Sequence, residues 1–366
     1  MQHRLFMGVL TSMLKCVTRI LIMLSPLSVQ AVEVHPYIVN GQYANVTTFP
    51  SIVSLFIDRI DYDGLYSVGS YCGGTLLDSQ HVLTAAHCVN NDIGVQLFTV
   101  AVPKLQLESD FPFNTLERAQ VSEIYYPNNY VHANVMNDIA ILKLVTPMKT
   151  VSAADYVQLP AKGDAASYRN TAEVFYAVGH GNTAAGIDND PYLASTQLEY
   201  VSAATCSQEY KRNSSGNLCM GWPKPAANGL DQSTCNGDSG GPLYWYTGGQ
   251  YKQVGITSFG PGPSLSNVGC GDPKVKANSV FTDVLEHQAW VTSVLHGHQT
   301  PRVLVTESAR RAYLNGSNVP SKPDVNTGKT PDGGDVLDSN TSGAGGVGFI
   351  SLLFYVGMLF NRQLTS

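Results

Sequence analysis

From Ile38 to about His298 the chain is a succession of short β-rich runs broken by Gly, Pro and Asn. Runs such as Ser51 to Ile57, Gln96 to Val102, Ala140 to Val145, Ala172 to Val178 and Gln253 to Ser258 predict strands. A helical period is sustained only near the end, where Val284, Leu285, Trp290, Val291, Val294 and Leu295 mark a terminal amphipathic helix. Many strands at short spacing confine such a chain to barrels or sandwiches. The balance of 14% charged residues against 34 Gly and 19 Pro agrees with a turn-rich β protein rather than a helical bundle. The net charge of -6 contains no run of like charges, which argues against nucleic acid as a partner.

Of seven cysteines, Cys16 falls in the N-terminal leader, leaving Cys72, Cys88, Cys206, Cys219, Cys235 and Cys270. Six can pair in fifteen ways. No CxxC pair is present to suggest zinc, so neither metal nor cofactor is expected. The even set implies an oxidising compartment. The leader agrees: Lys15 and Arg19 precede an apolar run, and Val29-Gln30-Ala31 offers small residues for signal peptidase. Residues 1–31 read as a signal peptide, since Ser25 and Pro26 interrupt a run already short for a membrane anchor.

The strongest chemical signal is Gly237-Asp238-Ser239-Gly240-Gly241-Pro242. A serine hydroxyl attacks a carbonyl only when a base takes its proton and donors meet the oxyanion that forms. Glycines around Ser239 let backbone N–H groups turn toward a substrate. Leu83-Thr84-Ala85-Ala86-His87-Cys88 lies upstream, with Asn137-Asp138-Ile139-Ala140 between.

Together these strings resemble the three active-site motifs of the trypsin/chymotrypsin family, in that family's order, over roughly Ile38 to His298. The resemblance implies an all-β fold of two six-stranded antiparallel barrels with a C-terminal helix. It also implies a serine endopeptidase with protein or peptide substrates, acting as a monomer. His87 would be the general base, Asp138 its orienting carboxylate and Ser239 the nucleophile. Gly237 and Ser239 would supply the oxyanion N–H groups, and Ser258 would support Asp138. The implied disulfides are Cys72–Cys88, Cys206–Cys219 and Cys235–Cys270, which use all six cysteines.

Ile38-Val39-Asn40-Gly41 resembles the family's mature N-terminus. Residues 32–37 would then be an activation propeptide cut after Tyr37, and the freed Ile38 amine would pair with Asp238. Tyr37 is not a site for a tryptic activator, so the enzyme itself or another protease is the expected activator. Ser233, six before Ser239, falls at the base of the primary pocket, with Gly260 and Ser279 on its walls. A neutral serine there implies cleavage after large apolar or aromatic residues. Basic specificity requires Asp231 or Asp272 to reach the pocket instead. His180 stands where the family usually has Trp, a local packing change. The loop from Phe56 to Tyr71 is longer than in the smallest members and is expected to restrict access to the cleft.

Residues 299–344 read as a flexible linker, although Thr300 to Leu314 could form a short ordered extension. Gly345-Gly346, an apolar run to Phe360 and Arg362 resemble the GlyGly-CTERM sorting tails of exported Vibrio-type bacterial proteases. That tail (345–366) implies a tail-processing protease, secretion or surface display, and membrane contact only through the tail. A plain transmembrane anchor and a GPI signal are the competing readings. A non-catalytic surface-binding homologue is disfavoured because every active-site motif is intact.

Overall fold

A computed structural model describes residues 38–90, 92–183, 191–222, 229, 231–260, 270 and 278–316. Its strands, in chain order, are β1 (Gln42–Tyr43), β2 (Ile52–Arg59), β3 (Leu65–Tyr66), β4 (Cys72–Leu76), β5 (His81–Thr84), β6 (Thr99–Pro103), β7 (Ala119–Tyr125) and β8 (Ala140–Leu144). They continue with β9 (Val174–Gly179), β10 (Ala194–Val201), β11 (Asn217–Gly221), β12 (Pro242–Thr247), β13 (Gln250–Phe259), β14 (Ser279–Asp283) and β15 (Val303–Leu304).

Two closed six-stranded antiparallel barrels result. In the first, the order β7-β6-β2-β4-β5-β8 closes through β7 and β8. In the second, β10-β11-β14-β13-β12-β9 closes through β9 and β10. Each barrel has its own apolar filling, because alternate residues of a strand point inward. Val53, Leu55, Leu83, Ile124 and Ile141 fill the first, and Phe175, Leu198, Leu218, Leu243 and Phe281 the second.

Polar side chains join the barrels. Thr75 Oγ1 donates to Gln253 Oε1 (2.6 Å), Ser51 and Tyr244 share a 2.7 Å hydroxyl pair, and Thr282 Oγ1 donates to the Asp138 carbonyl (2.9 Å). Buried polar atoms are tolerated where each finds a partner, and these cross-links also fix how the barrels meet.

The run from Gln96 to Val102 is only half strand. Gln96, Leu97 and Phe98 end a short helix, Ile93–Phe98, whose N-cap Asp92 accepts from Val95 N, and β6 begins at Thr99. A short apolar run does not declare its own period. The terminal helix forms as Gln288–Leu295, led in by a 3-10 turn, Leu285–His287. It buries Val291 and Val294 against the first barrel.

The chain then stays ordered past the expected start of the linker. β15 pairs antiparallel with β7, and a helix, Glu307–Leu314, follows behind the N-cap Thr306. Arg310 is 4% exposed, and its guanidinium donates to the Leu97 carbonyl (Nε, 2.7 Å) and the Val121 carbonyl (Nη2, 2.9 Å). Buried Val303 and Val305 complete the strap.

The loop between Phe56 and Tyr71 carries a short helix, Ile60–Asp63, and the β2–β3 ladder, and exposes Leu65, Tyr66 and Val68. Among the described residues no helix is long and apolar enough to cross a membrane. The signal peptide, the propeptide with Tyr37, and the tail at 345–366 lie outside the described residues.

Candidate active site

The cleft residues come from both barrels. His87 sits in a 3-10 turn, Ala86–Cys88, just after β5, and Asp138 just before β8. Pairing of β5 with β8 brings them together. Asp138 Oδ2 lies 2.7 Å from His87 Nδ1, and Oδ1 accepts the His87 backbone N–H at 2.8 Å. Ser258 Oγ, from β13 of the second barrel, donates to Oδ2 at 2.5 Å. Asp138 is fully buried, so these donors replace water for its carboxylate. The imidazole is thereby held with Nδ1 toward Asp138 and Nε2 free for chemistry.

Ser239 lies in the turn before β12. Its carbonyl accepts the N–H of Gly73 in β4 (2.7 Å), and Gly240 N donates to the Thr257 carbonyl (2.8 Å). The serine is thus pinned from both barrels. Its hydroxyl makes no hydrogen bond to His87 among the described residues. Such bonds are often loose until substrate binds. The N–H groups of Gly237 and Ser239 donate to no protein acceptor among the described residues, while Asp238 N and Gly241 N are both engaged inside the turn. Gly237 adopts φ +101°, and a Cβ there would lie 2.9 Å from the Gly181 Cα, so the turn needs glycine. Two free N–H groups beside a hydroxyl form a cradle suited to an oxyanion.

The Trypsin family profile matches residues 38–291. The chain is 31% identical over 274 residues to "Trypsin, alkaline C" of Manduca sexta, covering 73% of this chain and 94% of that protein. It is 32% identical over 273 residues to "Chymotrypsin-like elastase family member 1" of Felis catus, covering 72% and 91%. It is also 28% identical to "CLIP domain-containing serine protease B4" of Anopheles gambiae, covering 71% of each chain. The chain belongs to the trypsin family. It is a serine endopeptidase.

As in the sequence reading for this trypsin-family chain, disulfides join Cys72 to Cys88, Cys206 to Cys219 and Cys235 to Cys270, with Cα separations of 6.3, 6.1 and 5.4 Å. Cys72, His87 and Cys88 cluster closely enough to suggest a metal site. The disulfide removes both thiolates that such a site would need.

Ser233 is fully buried, and its Oγ has no hydrogen-bond partner among the described residues. Ser279 is also buried, but its Oγ accepts from Thr234 N at 2.9 Å, so this hydroxyl is spent on backbone. A Cβ on Gly260 would meet open space. Asp231 is half-buried near this region, while Asp272 lies outside the described residues.

Ile38 is fully buried in the second barrel. Its N–H donates to the Gly181 carbonyl (3.3 Å), and Val39 N donates to the Ser233 carbonyl (3.1 Å). Asp238 is 1% exposed and accepts from Gly181 N (2.9 Å) and Cys235 N (2.8 Å). Gly181 thus bonds to both, accepting from Ile38 through its carbonyl and donating to Asp238 through its N–H. Burial pushes the Asp238 carboxyl up to about 7, with the two backbone donors pulling the other way. A Cβ on Gly181 would lie 2.3 Å from Asp238 Oδ2.

His180, beside Gly181, is more than a packing change. Its ring bridges the barrels, with Nδ1 3.3 Å from Ser54 Oγ and Nε2 buried without a partner. Burial pulls its pKa down to about 4. The contribution of Gly73 was not read from the sequence; the Gly73-Gly74 pair after Cys72 was the available signal.

Proposed function

We propose that this chain is the precursor of a secreted endopeptidase that cleaves peptide bonds through an acyl-enzyme on Ser239. His87 takes the Ser239 proton as the hydroxyl attacks and returns it to the leaving amine. Asp138 holds the tautomer and stabilises the imidazolium. The N–H groups of Gly237 and Ser239 take the developing oxyanion. The observation that carries this reading is the pair of bonds from His87 to Asp138, with Ser258 on the same carboxylate.

Activation follows by cleavage after Tyr37. The new ammonium of Ile38 replaces a neutral N–H next to Gly181 and gives Asp238 the counter-charge that it lacks in the uncut chain. The activator is the enzyme itself or another protease.

The pocket around Ser233, Ser258, Gly260 and Ser279 accepts large apolar or aromatic side chains, because Ser233 brings a neutral hydroxyl where an ion pair would select Arg or Lys. Export by the signal peptide suits the three disulfides. The GlyGly-type tail then directs sorting at the bacterial surface and is removed by a tail-processing protease.

Labelling of the processed protein by a fluorophosphonate, lost in Ser239→Ala, tests the mechanism. No labelling of the processed form sinks it. A peptide-library profile of the same protein tests the pocket, and cleavage after Arg or Lys alone would overturn the apolar preference.

A further inference from the structure

The helix Ala203–Tyr210 ends in a left-handed residue, Lys211 (φ 52°), and Arg212 follows it. The mount is rigid, because Cys206 in this helix is bonded to Cys219 in β11. From there the Arg212 guanidinium lies over the face of Phe259, 3.9 Å from the ring centroid. Tyr210 meets the same ring edge-on at 5.2 Å. Phe259 directly follows Ser258, the residue bonded to Asp138, and precedes Gly260 on the pocket wall.

Among the described residues Arg212 has no counter-ion. It forms no ion pair among the described residues, and its Nη2 is buried with no acceptor. The neighbouring carboxylate of Glu209 gives one oxygen to Asn278 Nδ2 instead. Burial pulls the guanidinium's pKa down, and the fields that oppose this come from Tyr210 and Asp138. The geometric link to the reacting centre runs through Phe259, the neighbour of Ser258, which donates to Asp138. An aromatic face holds a cation in place, but it leaves the in-plane N–H donors unused, and those donors match a carboxylate.

We propose that Arg212 is a specificity-determining residue that binds an acidic side chain of the substrate on the acyl side of the cleaved bond. The acyl side follows from its place beside Gly260, since the acyl half of the substrate fills the pocket. This rests on the reading of the site given above. Arg212 takes no part in the chemistry, so its effect falls on KM more than on kcat. Salt weakens it, as for any half-exposed ion pair.

The test uses the processed protein and quenched peptides that differ only by Asp, Gln or Lys at the second to fourth residues before the cleaved bond. The unsubstituted enzyme should cut one Asp peptide about tenfold better than its Gln counterpart, with the gain shrinking at high salt. Arg212→Gln should erase that gain, Arg212→Glu should invert it toward Lys, and Arg212→Lys should retain part of it. Circular dichroism and fluorophosphonate labelling of Ser239 show that each variant is folded. An identical Asp-to-Gln ratio in the unsubstituted enzyme and Arg212→Glu overturns the inference. Failure of every form to cut any peptide, with Ser239 resisting fluorophosphonate, would instead overturn the underlying reading and this inference with it.

Discussion

Asp138 holds His87 at two points, taking its backbone N–H on one oxygen (2.8 Å) and its ring Nδ1 on the other (2.7 Å). The ring nitrogen and the main chain are fixed together, so the carboxylate sets both the tautomer and the position of the imidazole. In Asp138→Asn an amide N–H₂ can face Nδ1 and force the proton onto Nε2, the nitrogen that must act as base. Turnover should fall by about 10⁴ with KM little changed. Steady-state kinetics on one peptide substrate checks this, and a loss below tenfold would show that Asp138 does not govern the tautomer.

The strap after the terminal helix should contribute to stability without touching catalysis. Arg310 is buried with its two donors on the Leu97 and Val121 carbonyls. Arg310→Met keeps the apolar stem and removes both donors. A buried polar group left unpaired costs about 1–3 kcal/mol. Urea unfolding should report a loss of that size, with kcat/KM unchanged. Equal stability of the variant would mean that the strap is only draped on the barrel.

Most of the proposed active centre lies in sequence motifs, because such chemistry tolerates few substitutes at each position. His87, Asp138 and Ser239 each sit in a motif, and the glycines beside Ser239 announce a turn that a Cβ would block. The disulfides followed from the resemblance, which chose one pairing among fifteen. The helix at Ile93–Phe98 was not legible, since a short apolar run serves strand and helix alike. An ordered extension over Thr300 to Leu314 was one reading of the sequence, but what holds it was hidden for another reason. Its burial rests on three scattered side chains, Val303, Val305 and Arg310, whose partners lie far away in β7 and the helix Ile93–Phe98. Arg212 escaped notice because its meaning depends on Phe259, 47 residues on in the sequence (259 − 212).

Asp238 makes the uncut precursor sensitive to pH. Its carboxyl is pushed up to about 7 in the folded chain by burial, against about 4 in an unfolded one. The fold therefore holds a proton that the unfolded chain releases between about pH 4 and 7. This contribution is fully present below that window and is lost as pH rises through it. At about 1.4 kcal/mol per pKa unit, the span reaches a few kcal/mol. Measured on the Ser239→Ala precursor, the stability difference between Asp238 and Asp238→Asn forms should swing against Asp238 from pH 5 to pH 8. In the processed protein the Ile38 ammonium should cancel the swing. The same curve before and after processing would argue against that pairing.

His180 works in the opposite direction. Burial holds its pKa at about 4, below the ordinary histidine value near 6.5, with a backbone hydrogen bond to Gln106 pulling the other way. The unfolded chain takes up a proton that the folded chain refuses. Stability from the neutral ring is thus complete above pH 6.5 and is lost as pH falls toward 4. A Cβ on the flanking Gly179 or Gly181 would meet Asp238, the carboxylate packed against this segment. On the proposed pairing of Asp238 with the Ile38 ammonium, the His180 arm should dominate this neighbourhood in the processed protein. His180→Gln keeps a donor for Ser54 and cannot charge. It should unfold at higher urea than the unsubstituted protein at pH 4.5, with the gap closing by pH 7.5. The segment that His180 anchors carries Gly181, the residue hydrogen-bonded to both Ile38 and Asp238, so activity should recover with stability after a brief acid pulse. A gap that stays constant across the range would show that the ring contributes shape and no titration.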